Sequence, residues 1–327
     1  MGKTKAELDR TVLTVMDELE VTTSFVDDMP RIYGNNWYVD SEIGKLRAVM
    51  LHRPGREFEL IQGMDPKMLS MHEIPDVRKM QEEFDAIKQM YEDNGVKVYL
   101  LEDLDEDCPN GLFCRDLMNG TPNGMLMSRM AISVRSPEVK CAARQLGRYG
   151  IPICKQVNAG GTFEGACLIW LDKETVFIGR GTRSNDAGVK QVVDELTNQG
   201  VKNFIHIDIP RNAVHLDGML AIADYDVAVT FAYQTPHTVY RELQRRGFRI
   251  VEIPTWEEQA LAANFVALEP GKIAMCAGYP LTKKLLEDQG VEVIEVKVDE
   301  IRKAAGAIHC MTAFLQRDPV PVYDLKW

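Results

Sequence analysis

The chain has 327 residues, 45% apolar and 27% charged, which supplies enough material for a sizeable core and excludes a disordered polymer. Its 38 basic residues are outnumbered by 49 acidic ones, for a formal net charge of −11. This excludes nucleic acid as the main partner, because phosphate binding needs clustered cations. No run of about 18 apolar residues occurs, so no membrane span is expected. The start, Met1-Gly-Lys-Thr-Lys-Ala6, has neither the apolar core of a signal peptide nor the hydroxyl residue of a myristoylation site. Seven cysteines without a CxxC pair read as reduced thiols of a cytoplasmic protein, any one of which could be a nucleophile.

In chain order, Leu8, Val12, Val15, Met16 and Leu19 predict an amphipathic helix over residues 5–20, part of an N-terminal helical extension spanning 1–40. This extension is compatible with a homo-oligomer. A strand follows at Leu46–His52, ended by Arg53-Pro54. Val77, Met80, Phe84, Ile87 and Tyr91 then form one apolar helical stripe. A second helix is expected after Ser136-Pro137-Glu138, with Ser136 as cap and Pro137 at the first position. A third is expected from Asn185-Asp186, with Val189, Val192, Val193 and Leu196 inward. A fourth follows Thr235-Pro236, with Val239 and Leu243 inward, and a fifth follows Pro280, with Leu285 and Leu286 inward.

Each helix ends at a glycine followed at once by an alternating run, at Gly95, Gly150, Gly200, Gly247 and Gly290. The spacings are 55, 50, 47 and 43 residues, so one strand–helix–strand unit recurs with shrinking loops. Residues 41–327 are therefore expected to form a single α/β domain, a propeller of mixed αβ units. Strand ends and loops would meet near its axis, where ligands are expected.

Four polar clusters sit at the ends of apolar runs. Pro109-Asn110-Gly-Leu-Phe113-Cys-Arg115-Asp116 ends in an Arg-Asp pair. Gly160-Gly-Thr-Phe-Glu164-Gly165 puts a carboxylate on a glycine-flanked turn. His215-Leu216-Asp217 puts an imidazole and a carboxylate on one face of an extended segment. Gly306-Ala-Ile-His309-Cys310-Met-Thr sets a thiol after a turn. Alone, each has an ordinary structural explanation: a surface ion pair, a loop carboxylate, a buried hydrogen bond, a small core residue. Their occurrence in separate repeats of a ring whose strand ends converge gives them weight. His309 is assigned no role, because in an extended segment its side chain points away from that of Cys310.

From about residue 45 to 318 the chain resembles the guanidino-group-modifying (pentein) superfamily. These are five-bladed αβ propellers that include arginine deiminases, dimethylarginine dimethylaminohydrolases, agmatine deiminases and amidinotransferases. Pro109-Asn110-x-x-Phe113-x-Arg115-Asp116 is similar to the Pro-Asn-x-x-Phe-Thr-Arg-Asp motif of arginine deiminases. That match implies that Asn110 contacts substrate and Asp116 binds its guanidinium. Arg135, by its spacing, and Arg183, in a segment like Arg-Thr-Asn, would clamp a substrate α-carboxylate. Glu164-Gly165 resembles Glu-Gly-Gly-Asp, His215-Leu216-Asp217 resembles His-Leu-Asp, and Cys310-Met-Thr resembles the nucleophile segment Cys-Met-Ser. The chain departs from these patterns at Ala166-Cys167, which replaces Gly-Asp, and at Ala305, where arginine deiminases have Arg. It also lacks their helical insertion.

The chemistry suits those residue types. A guanidinium is a planar cation at any physiological pH, and carboxylates such as Asp116, Glu164 and Asp217 accept its paired N–H groups. Its carbon is a poor electrophile, so a thiolate is needed. The resemblance implies that Cys310 attacks that carbon. His215 then protonates the departing amine and activates water on the covalent amidino-thioether, with Glu164 orienting His215. The expected activity is hydrolysis of arginine or a close analogue to citrulline and ammonia, without metal or organic cofactor. Amidino transfer to an amine, double hydrolysis to ornithine, methylarginine hydrolysis and a non-catalytic propeller stand as alternatives. Asp217 favours an unsubstituted guanidine over a methylated one.

Overall fold

The computed structural model describes residues 24–102, 104–254, 257 and 261–323; the helix expected over 5–20 lies outside them. The chain divides into two compact units, Met1–Asn36 and Trp37–Trp327. In the first, a short helix, Phe25–Tyr33, is closed by Gly34 at φ 70°. Its end residues, Phe25 and Tyr33, meet edge to face with centroids 5.8 Å apart.

The second unit contains five three-stranded sheets built on one plan. A central strand pairs antiparallel with one neighbour, and after a helix the chain returns as a parallel strand on the other side. The first sheet holds β1 (Leu46–Leu51), helix α1 (Val77–Asp93) and β2 (Lys97–Leu100). The second is β3 (Met118–Thr121), β4 (Gly124–Met127), α2 (Glu138–Arg148) and β5 (Ile153–Gln156). The third is β6 (Leu168–Asp172), β7 (Thr175–Arg180), α3 (Asp186–Asn198) and β8 (Asn203–Asp208). The fourth is β9 (Leu220–Asp224), β10 (Val227–Thr230), α4 (His237–Arg245) and β11 (Arg249–Glu252). The fifth is β12 (Val266–Glu269), β13 (Lys272–Cys276), α5 (Pro280–Glu287) and β14 (Glu292–Val296).

The antiparallel partner of β1 comes from the far end of the chain. Strand β15 (Ala313–Arg317) lies beside it, with Val49 opposite Phe314 and Met50 opposite Ala313. The first sheet is thus made from both ends of the repeat region, and this pairing sets the Cys310 segment beside the first sheet.

The five junction glycines all adopt positive φ, between 68° at Gly150 and 99° at Gly200, a conformation that strains a residue with a Cβ. Helix α1 buries Met80, Phe84, Ile87 and Tyr91, and α3 buries Val189, Val192 and Leu196. Asn185 caps α3, its side chain accepting from the Gly188 N–H at 2.9 Å. Two details differ from expectation. Ser136 does not cap α2: a 3-10 turn over Ser133–Arg135 runs into the helix, and the Ser136 hydroxyl donates back to the Ile132 carbonyl. In α5 Leu286 is buried but Leu285 is 37% exposed, because adjacent helical positions point about 100° apart and only one faces the sheet.

Candidate active site

Five of the functional candidates share one structural address, the turn or loop just before the strand that pairs antiparallel with a sheet's central strand. Asp116 lies in the turn Cys114–Leu117, two residues before β3. Glu164 precedes the 3-10 turn Gly165–Cys167, which leads into β6. His215 and Asp217 lie in the loop entering β9, and Cys310 lies in the turn Ile308–Met311, before β15. A cavity of about 100 Å³ is lined by Asn110, Asp116, Arg135, Arg183, His215 and Cys310. A second, of about 420 Å³, meets it at His215 and Cys310; Asp217 lines it, together with apolar groups such as Phe231 and Leu261.

Two glycines hold these turns together. A Cβ on Gly165 would lie 2.2 Å from the Arg115 carbonyl oxygen and 2.7 Å from that of Met118, so only glycine lets the Glu164 turn rest on the Asp116 turn. A Cβ on Gly306 would lie 2.3 Å from the Phe113 ring. Gly165→Ala should therefore push Glu164 and Asp116 apart. Because a misplacement of about 1 Å can cost roughly 10²-fold in rate, kcat/KM is expected to fall on that scale. Thermal melting should also occur at lower temperature, and the paired measurement checks both.

The imidazole of His215 stands between two carboxylates. Its Nε2 lies 2.7 Å from Glu164 Oε2, and its Nδ1 lies 3.6 Å from Asp116 Oδ1. Burial disfavours its charged form, but Asp116, Glu164 and Asp217 outweigh burial and hold its pKa above the ordinary histidine value. Glu164, fully buried, also accepts from the Ala131 N–H at 3.1 Å and from Arg183 Nη1 at 3.3–3.4 Å. Burial would raise its pKa; the His215 hydrogen bond and charge, then Arg135 and Arg183, pull it well below the usual carboxylate range.

Arg135, expected on a substrate carboxylate, has all its nitrogens engaged within the protein. Nη1 pairs with Asp116 Oδ2 at 2.5 Å, Nε with both Glu138 oxygens at 2.9 and 3.2 Å, and Nη2 with Glu138 at 2.8 Å and the Asn110 carbonyl at 3.1 Å. It thereby holds one oxygen of Asp116 and leaves the other, Oδ1, buried with no hydrogen-bond partner among the described residues. Asn110 is held as well, its amide donating to the Leu69 carbonyl at 2.9 Å. Arg183 is the more accessible of the two arginines, its side chain 15% exposed against 5% for Arg135.

Asp217 is held from behind by a buried chain of charges. His309 Nδ1 bonds Asp217 Oδ2 at 2.8 Å, His309 Nε2 faces Glu42 Oε2 at 3.6 Å, and Glu42 Oε1 accepts from Arg115 at 2.9 Å. His309 reaches Asp217 because residues 308–311 form a helical turn and not an extended segment. The backbone N–H groups of Leu216 and Asp217 both donate to the Ala166 carbonyl. Burial pushes the Cys310 thiol well above the ordinary cysteine value, and Asp217 and Asp116 push it further.

The model of the eukaryotic N,N-dimethylarginine dimethylhydrolase family matches residues 67–317. The chain belongs to this family. With it, the chain belongs to the guanidino-group-modifying superfamily, and it is an enzyme, a hydrolase of guanidino C–N bonds. It is 25% identical, over 81% of its own length and 98% of the relative's, to the N(G),N(G)-dimethylarginine dimethylaminohydrolase of Pseudomonas aeruginosa. It is 22% identical to the arginine deiminase of Lactococcus lactis, over 87% of this chain and 99% of that one. The solved structure of a mutant of the Pseudomonas aeruginosa dimethylarginine enzyme, complexed with citrulline, superposes with a TM-score of 0.69 at 23% identity. That match covers 82% of this chain and 99% of the other.

By spacing alone Asp116, Glu164 and His215 could approach a common metal ion. Two of the three already pair with arginines, Asp116 with Arg135 and Glu164 with Arg183, so much of the negative charge a cation would need is neutralised. The motif resemblances point to Asn110, Asp116, Glu164, Arg183, His215, Asp217 and Cys310. They did not single out Glu42, His309 as a partner of Asp217, or Glu138, although Glu138 stands three residues after Arg135 at ordinary ion-pair spacing.

Proposed function

We propose that the five sheets close into a five-bladed αβ propeller, with residues 41–327 as a single catalytic domain. Its axial cavity would bind the guanidinium of arginine or an N-methylated arginine and release citrulline. The observation that carries this reading is the buried Asp116 Oδ1, which has no hydrogen-bond donor among the described residues, in the same small cavity as His215 and Cys310. A buried carboxylate oxygen without a donor is costly, and a planar cation rich in N–H groups satisfies it. Asp217 supplies a second acceptor, its position fixed by His309.

In this reading the cationic substrate offsets the carboxylates that keep Cys310 protonated, and the thiol proton leaves to solvent. The thiolate attacks the guanidinium carbon and a C–S bond forms. His215 bonds Glu164 through Nε2, so Nδ1 gives its proton to the departing nitrogen as the C–N bond breaks. The neutral imidazole then takes a proton from water, whose oxygen attacks the amidino carbon. The C–S bond breaks, and thiolate and imidazolium are restored. Arg135 acts as a positioning residue for Asp116, with Asn110 as part of that support, and Arg183 binds the α-carboxylate. Seven unbridged thiols suit a reducing compartment such as the cytoplasm.

Arg183→Ala should raise KM for arginine about 10- to 100-fold, the scale of a lost charged hydrogen bond. It should leave KM for a decarboxylated guanidine such as 1-amino-4-guanidinobutane nearly unchanged. Steady-state kinetics on the two compounds check this. A second reading, hydrolysis of N,N-dimethylarginine, is favoured by the apolar lining of the larger cavity beside Cys310, which would accept methyl groups. Comparing kcat/KM for arginine and dimethylarginine, with citrulline, ornithine, ammonia and dimethylamine measured and with acceptor amines added, separates these readings from amidino transfer and double hydrolysis.

A further inference from the structure

Four of the five sheets place a proposed active-site side chain in the turn before the strand that pairs antiparallel with the central one: Asp116 before β3, Glu164 before β6, His215 and Asp217 before β9, and Cys310 before β15. The fifth sheet has an occupant at the same address. Asn264 stands two residues before β12, is 2% exposed and lines the larger cavity beside Cys310. Its Nδ2 lies 3.0 Å from Cys310 Sγ.

The orientation of this amide is fixed by chemistry. Asn264 Oδ1 lies 2.8 Å from the backbone nitrogen of His309. A backbone N–H only donates, so the oxygen must face it and the NH₂ must face the sulfur. The Asn264 backbone is held too: its N–H donates to the Leu261 carbonyl at 2.9 Å, and its carbonyl accepts from the Cys276 thiol at 3.6 Å. A rigid donor aimed at sulfur interacts most strongly when the sulfur carries charge.

We propose that Asn264 is the fifth sheet's catalytic residue, its side-chain N–H stabilising the Cys310 thiolate formed for attack. The assignment deepens the proposed function and rests on Cys310 being the nucleophile. Among the groups around the thiol, Asp217 and Asp116 act against ionisation, whereas Asn264 and the Ala307 backbone act for it. Asn264 needs no charge to do so, and a cation at that place would compete with the cationic substrate.

The test is the rate at which iodoacetamide labels Cys310 as a function of pH, read by peptide mass, in the wild type, Asn264→Ala and Asn264→Asp. Asn264→Ala removes both the donor to sulfur and the acceptor for His309 N–H. Asn264→Asp keeps that acceptor and the shape but turns a carboxylate oxygen toward sulfur. Labelling at pH 8 should slow at least about tenfold in Asn264→Ala and further in Asn264→Asp, with both profiles displaced to higher pH. A merely structural role gives the reverse order, the isosteric Asp variant milder than Ala. That order, or an unchanged profile in whichever variant folds, overturns the assignment. Full turnover by Cys310→Ser would instead remove the nucleophile reading itself, so the two failures are told apart.

Discussion

Replacing Cys310 by Ser should reduce kcat by roughly 10³-fold or more, as for removal of other enzymes' nucleophiles, while the protein still folds and binds guanidine. The sulfur is the only thiol lining either cavity among the described residues, and the nearby Cys114, Cys167 and Cys276 are buried. A serine hydroxyl is far harder to ionise than a thiol, and Asp116 and Asp217 oppose its ionisation further. Equilibrium binding of arginine to the Ser variant should persist, because Asp116, Asp217 and Arg183 are untouched. Loss of binding along with turnover would mean that the cysteine shapes the pocket and does not act as nucleophile.

The second large effect is expected at His215. Removal of a general acid-base typically costs about 10²–10⁴-fold, and His215→Ala should lie in that range on arginine. With an S-alkyl isothiourea analogue, whose thiolate leaves without a proton, the variant should still form the Cys310 adduct and then fail to hydrolyse it. One equivalent of thiol would be released and turnover would stop. The pH dependence carries the same signature. Because the carboxylates around His215 raise its pKa, the imidazolium persists above the ordinary value and is lost as pH rises through the raised one. The Cys310 thiol is pushed well above its ordinary value, so its ionisation is disfavoured in the free enzyme. Activity should therefore decline on the alkaline side as His215 loses its proton, and no such decline should appear in the rate of the single thiol release from the isothiourea by His215→Ala.

The repeat is legible from glycine. Positive φ is needed where each helix turns back to the sheet, and no other residue takes it at so little strain, so Gly95, Gly150, Gly200, Gly247 and Gly290 mark the period. The strand that completes the first sheet is not legible, because β15 pairs with β1 across most of the sequence and carries no local mark of its partner. The site divides in the same way. Asp116, Glu164, His215, Asp217 and Cys310 sit in motifs; Asp116, His215, Asp217 and Cys310 line two adjoining cavities, and Glu164 is buried behind His215.

Side chains whose roles depend on what lies behind them were hidden. Arg135 reads from spacing as a ligand for substrate, yet Glu138, one helical turn on, and Asp116, brought near by the second sheet, engage all its nitrogens. His309 reads as pointing away from the site only if residues 308–311 are extended; as a helical turn they carry it to Asp217. Asn264 belongs to no motif at all, and only its place before β12 and its contact with sulfur mark it.

The most direct measurement is the mass of the Cys310 peptide from enzyme quenched with acid during steady-state turnover of arginine or dimethylarginine. A thioether adduct of the substrate's amidino carbon should sit on Cys310, appear before citrulline and decay with it. Undiminished citrulline release with Cys310 unmodified at every quench time would contradict the account.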